Sequence, residues 1–245
     1  MLLASAAFAA SPAPPTRDVD EPDSTPGTEG EDPGAALLEK DGPKAPKPAP
    51  SLVAEATRIV TTAKATVYSH TTLVDEAALR FEFDCSGFVG YLLRRVAPQA
   101  RRELVAATAK RPLAKHFVSF IEGLPPKAKG RWTRVDDARA LQAGDVVVWI
   151  RAADSKSTNT GHVMLVAGPP TRRDGTTLNV PIFDSTALAH GRTDKRAAGS
   201  PNGVGRGAIA LRIDRAGKPL AFRWSPTGRY KYHETEIVLA RVKAE

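Results

Sequence analysis

The chain has 245 residues, of which 42% are hydrophobic and 25% charged, and it carries a formal charge of +8. That length and composition fit one globular domain with a tail, and a single cysteine excludes an intrachain disulfide framework. Aromatic residues make up 6% and no basic patch is interleaved with them, which argues against nucleic acid as a partner.

Taken in order, residues 1–10 form an apolar run with an Ala7-Phe8-Ala9 cleavage pattern but no basic n-region. They read as the end of a truncated secretory signal, so the expected location is exported: periplasm, cell wall or outside the cell. Residues 11–50 hold ten of the 20 prolines, among Ser, Thr, Asp, Glu and Gly. Such a segment buries too little apolar surface to fold and is expected to be a semi-extended linker. No other stretch approaches the ~18 continuous apolar residues of a membrane span, so no transmembrane segment is expected. The first fifty residues carry nine of the 27 acidic and four of the 35 basic side chains, leaving 18 acidic and 31 basic in residues 51–245. The folded part is therefore strongly basic and suits an anionic polymer or membrane surface.

Residues 51–66 show helical spacing (Leu52, Val53, Ala56, Ile59, Val60, Ala63). A polar loop from Tyr68 to Leu73 leads towards Phe83-Asp84-Cys85-Ser86-Gly87, where Val89, Leu92, Leu93 and Val96 again recur at helical spacing. Asp84 stands at the N-cap of that helix, ready to accept the amides of Ser86 or Gly87. Gly87 and Gly90 keep one face thin, which predicts a close approach there. Residues 99–123 read as helix interrupted at Pro112, with His116 as a surface or packing residue, and Pro125-Pro126 ends the region. Beyond Trp132, five stretches rich in β-branched residues are expected as strands: 145–150, 163–167, 178–183, 208–213 and 236–242. Asp145 is read as holding the turn before its strand. Helices first and strands after predict an α+β domain over 51–245, with helices packed on an antiparallel sheet.

Cys85 has two readings. A lone cysteine is commonly an inert small hydrophobe. On the first turn of a helix, however, free amides and the macrodipole favour a thiolate, the nucleophilic form. Gly161-His162-Val163 opens a strand with a histidine, and Phe183-Asp184-Ser185 ends the next with a carboxylate. Neighbouring antiparallel strands place His162 and Asp184 side by side, with the Cys85 helix expected across the same face. That set supplies a nucleophile, a base and an orienting acid. The basic, glycine-rich segment 188–207 reads as a loop insertion, either surface loop or cleft rim for an anionic substrate, and its His190 is an alternative to Asp184 as the third residue. Five scattered histidines show no paired metal-ligand spacing, and no phosphate-cradling loop appears, so neither metal nor cofactor is expected.

The phrases Asp84-Cys85-Ser86-Gly87-Phe88-Val89, then Leu141-Gln142-Ala143-Gly144-Asp145-Val146, then Gly161-His162-Val163 resemble the NlpC-type cell-wall peptidases, within the papain-like cysteine hydrolases. The similarity spans roughly residues 52–190, in the family's order. It implies a papain-like fold, Cys85 as nucleophile, His162 as base and cleavage of amide bonds in peptidoglycan stem peptides. Asp184 falls where the family places its third polar residue. Tyr68 matches the family's tyrosine lining the site, and Asp84, Ser86 and His190 join it as candidate substrate-binding residues. The charged passage from His70 to Phe83 replaces the family's glycine-rich segment. Related enzymes with the same implied site are muramoyl-alanine amidases and transglutaminase-like acyl transferases. A non-catalytic wall-binding module is the alternative from another class.

Overall fold

The computed structural model describes residues 51–125, 130–151, 159–227 and 229–243. The expected signal segment and linker, residues 1–10 and 11–50, lie outside the described residues. Ser51 caps α1 (Leu52–Thr62), its hydroxyl accepting the Ala54 amide at 3.1 Å. The expected helix is cut short: Ala63 leaves the helical region at φ −56°, ψ 134°, and the chain passes into β1 (Ala65–Tyr68). The polar passage before Cys85 is itself structured. β2 (Leu73–Asp75) and β3 (Arg80–Phe83) join β1 in a three-stranded sheet of order β1-β3-β2, with β1 and β3 parallel. The alternation of Phe81 and Phe83 with charged neighbours buries both rings and explains β3.

α2 (Cys85–Val96) begins where the sequence places it. It buries Phe88, Val89, Leu92 and Leu93 on one stripe and ends in Arg94 and Arg95, favourable at the negative end of the helix. α3 (Pro98–Ala107) and α4 (Ala114–Glu122) flank the expected break. They are anchored by Trp132, whose indole N–H donates to the Ala100 carbonyl at 2.9 Å while its ring meets Phe117 and Phe120 edge-on. His116 is a packing residue of a defined kind: its Nδ1 accepts the Leu113 amide at 3.0 Å at the start of α4.

The remaining chain builds a ten-stranded sheet. In chain order its members are β4 (Trp132–Arg134), β5 (Val146–Ile150), β6 (Gly161–Val166), β7 (Thr171–Arg172), β8 (Thr177–Thr186), β9 (Lys195–Arg196), β10 (Gly203–Ile213), β11 (Pro219–Arg223), β12 (His233–Glu234) and β13 (Ile237–Val242). The main path runs β12-β11-β10-β8-β6-β5-β13-β4, with β7 on β8 and β9 on β10, all antiparallel. An α+β architecture with helices on an antiparallel sheet is what the element order predicted. The five expected strands are all present, and β8 and β10 run longer than expected.

Strand alternation divides the core in two. Val146, Val148, Val163, Leu165, Phe183 and Val204 point to the helices and pack with Cys85, Phe88 and Leu92. Val147, Trp149, Met164, Val166, Ile182, Ile209 and Leu211 form a second core on the opposite face, completed by Trp224. The turn into β5 is held as expected: Asp145 accepts the Gln142 amide at 2.8 Å and binds Arg241 through both carboxylate oxygens at 2.9 Å.

Candidate functional site

The start of α2 is built around Asp84. Its Oδ1 accepts the Gly87 amide at 2.6 Å and the Ser86 hydroxyl at 2.9 Å, as an N-cap should. Its Oδ2 accepts Arg111 Nη2 at 2.7 Å and lies 3.4 Å from His70 Nδ1. Burial on its own pushes this carboxyl up, but the His70 bond, the Arg111 charge and the Gly87 and Ser86 donors outweigh it and hold the group below the usual carboxylate range. Asp84 and Ser86 were candidates for binding substrate. Both are buried and bonded to one another, and they frame the helix start. Tyr68 is the half-buried candidate. Its ring meets His70 edge-on at 5.6 Å, and its amide donates to Asn202 Oδ1 at 3.1 Å. The predicted close approach is real at Gly87, where an added Cβ would lie 2.9 Å from Thr72 Oγ1, and does not occur at Gly90, which has open space.

His162 sits on β6, placed by the residue before it. Gly161 has φ +148°, and a Cβ there would fall 2.0 Å from the Trp149 carbonyl oxygen, so only glycine lets β6 pair so closely with β5. His162 Nε2 is 2.7 Å from Asp184 Oδ2, both groups fully buried. Neighbouring strands do bring the two together, as expected. The same carboxylate also receives His190 Nε2 at 2.8 Å on Oδ2 and Arg196 Nη1 at 2.8 Å on Oδ1. Desolvation opposes ionisation of Asp184, but the charges of His190 and Arg196 and the bonds from both histidines dominate and hold it well below the ordinary carboxylate range. Ionised, Asp184 only accepts. His162 therefore carries its proton on Nε2, and Nδ1 is its basic nitrogen.

Of three expectations, two need correction: His190 as an alternative third residue, and segment 188–207 as a loop. The Cys85 helix was expected across the face that carries His162 and Asp184. His162 and Asp184 lie on β6 and β8, with His162 beside Trp149 and Trp224, and Cys85 belongs to the core that also holds Phe183 and Val204. Ser185 Oγ, next to Asp184, donates to the Phe83 carbonyl at 2.7 Å, two residues before Cys85, and ties β8 to the start of α2. His190 is fully buried, stacks on Trp224 at 4.1 Å and bonds to Asp184, so the hydrogen-bond partner of His162 is Asp184 and not His190. Segment 188–207, for its part, is not a solvated loop over a cleft. Arg196 and His190 are buried, and residues 203–207 are the first part of β10.

The histidine spacing suggested no metal set, yet the fold gathers His162, Asp184 and His190, with ligand atoms within 4.8 Å of one another. The donor chemistry fits hydrogen bonding better than a cation: both imidazoles are turned onto one carboxylate oxygen, and the Arg196 guanidinium already occupies the other. Sequence reasoning missed Arg196, Asp194, Trp224, Arg111 and His70. The alternating Gly203-Val204-Gly205-Arg206-Gly207 was the available signal, since glycine at every second position marks a strand face approached closely by other groups.

No protein-family profile matches the chain, and no solved structure matches it. An uncharacterized protein of Acanthamoeba polyphaga mimivirus, R653, is 27% identical over 171 residues, covering 63% of this chain and 73% of that protein. Among the described residues, no helix is long and apolar enough to cross a membrane.

Proposed function

We propose that the chain is a cysteine hydrolase of papain-like, NlpC type, acting on amide bonds in peptidoglycan stem peptides outside the cell. The observation that carries the reading is the His162–Asp184 pair at 2.7 Å, with Asp184 ionised and bound to Nε2. This fixes the tautomer that a base facing a thiol needs. In the proposed reaction Cys85 gives its proton to His162 Nδ1 and the thiolate attacks the amide carbonyl. The start of α2 favours the developing oxyanion. His162 then protonates the leaving amine, and water hydrolyses the thioester to free acid and thiol. The choice of substrate rests on the motif resemblance and on the basic charge of residues 51–245, which suits a negatively charged wall.

A second reading, a non-catalytic wall-binding module, is favoured by one observation: Cys85 is only 6% exposed, as an inert core thiol would be. Incubating full-length wild type and Cys85→Ala with purified peptidoglycan, with mass spectrometry of the released fragments, separates the two. New peptide termini from wild type alone support the hydrolase and name the bond, distinguishing endopeptidase from muramoyl-alanine amidase. Empty spectra from both proteins with retained wall binding favour the module. Release by Cys85→Ala overturns the assignment of the nucleophile.

A further inference from the structure

The buried charges behind Asp184 have a built seat that the proposed reaction leaves unused. His190 Nδ1 lies 2.7 Å from the Trp224 carbonyl oxygen and its Nε2 lies 2.8 Å from Asp184 Oδ2. A carbonyl and an ionised carboxylate only accept, so this seat offers an acceptor to each ring nitrogen and suits a ring that donates from both. Arg196 stands on the other oxygen of Asp184, also donates to the Gly203 carbonyl at 2.9 Å, and is bound from behind by Asp194. Asp194 in turn accepts the backbone N–H of His190 at 2.7 Å. With a charged His190 the two carboxylates and two cations would sum to zero.

The floor of this seat is β10. Gly205 lies opposite Asp184 in the sheet, and a Cβ on it would fall 2.4 Å from Arg196 Nε. A Cβ on Gly207 would fall 2.8 Å from Asp194 Oδ2 and 2.9 Å from the His190 Cβ. Glycine at alternate positions leaves room for precisely the two cations that face Asp184.

We propose that His190 is a positioning residue: seated between Trp224 and Asp184, it holds the carboxylate against His162 and, with Arg196, cancels its charge, leaving His162 able to take up and release a proton. An uncompensated carboxylate at 2.7 Å would hold a proton on His162 and keep it from accepting one. Of the elements packed on β6, α2 carries Cys85 and, one residue earlier, the charged group Asp84 with its partners Arg111 and His70. β5 and the segment after β11 present the aromatic rings of Trp149 and Trp224. The inference rests on the hydrolase reading only for what the tuned base is used for.

The test is histidine NMR on the full-length protein, which carries five histidines, and it needs no turnover. In wild type at pH 7, both nitrogens of His190 should show the shifts of protonated imidazolium, and His162 should show a proton on Nε2. In His190→Gln the titration midpoint of His162 should move up. With ring centres 6.4 Å apart and an effective dielectric of about 20, losing one positive charge raises its proton affinity by tens-fold, more than one pH unit. His190→Lys, which restores the charge, should bring the midpoint back towards wild type, whereas a merely structural role would leave both variants alike. A neutral His190 ring in wild type overturns the proposal even if neither variant folds, and so does an unchanged His162 midpoint in His190→Gln. Because the readout is titration, a result of this kind stands whether or not the peptidoglycan digestion succeeds.

Discussion

Asp184→Asn removes one negative charge while keeping the side-chain shape, and the structure makes its cost calculable. Asp184 accepts three donors: His162 and His190 on Oδ2, and Arg196 on Oδ1. An asparagine offers one acceptor and one donor there, so either orientation sets an amide N–H against at least one N–H. The cations do not suffer equally. Arg196 keeps Asp194 and the Gly203 carbonyl, whereas His190 keeps only the Trp224 carbonyl on its ring and loses its counter-charge. Breaking a buried pair by removing one partner costs about 3–5 kcal/mol, and the retained Asp194 places this case near the lower end. For a folded region of this size, about 3 kcal/mol corresponds to a fall in Tm of roughly 6–12 °C. Urea and thermal unfolding at pH 7 measure it. The double variant Asp184→Asn/His190→Gln removes the stranded cation along with its partner and should lose less than the two single variants added together, by at least about 1 kcal/mol. A single-variant loss below about 1 kcal/mol, or strict additivity, refutes the view that Asp184 is the counter-charge of His190.

Other outcomes follow from the same geometry. Asp184 and Asp84 both have lowered carboxyl pKa values, so their stabilisation is complete above the ordinary carboxylate range and is lost as pH falls below about 4 towards their folded values. The Tm gap between wild type and Asp184→Asn should therefore narrow between pH 4 and pH 2.5; a constant gap contradicts the ionised Asp184. Gly161→Ala forces a Cβ against the Trp149 carbonyl at a φ that favours glycine, and should cost at least about 2 kcal/mol and shift the His162 NMR signals. Gly90→Ala, in the middle of α2 with open space around it, should instead stabilise by about 0.5–1 kcal/mol in the same unfolding assay.

Local chemistry was legible in the sequence wherever it acts along the chain. Asp84 two residues before Ser86 and three before Gly87 is an N-cap by spacing, and the α2 stripe, the break at Pro112 and the turn held by Asp145 follow from the same short-range rules. Alternating β-branched runs located the strands, and helices followed by strands set the α+β class. The pairing of His162 with Asp184 was also within reach, because adjacent antiparallel strands needed only a register.

What only the tertiary structure decided is which face each side chain shares and which distant groups meet there. The period of two in β6 sends Met164 to the Trp149 side and Val163 to the helices, and nothing in either residue alone says which face the helices will cover. Arg196 and His190 lie 12 and six residues from Asp184 in a stretch that reads as a solvated basic loop. They become buried because Asp184 and Asp194 supply compensating charge and the glycines of β10 supply room, conditions met only once the strands are side by side.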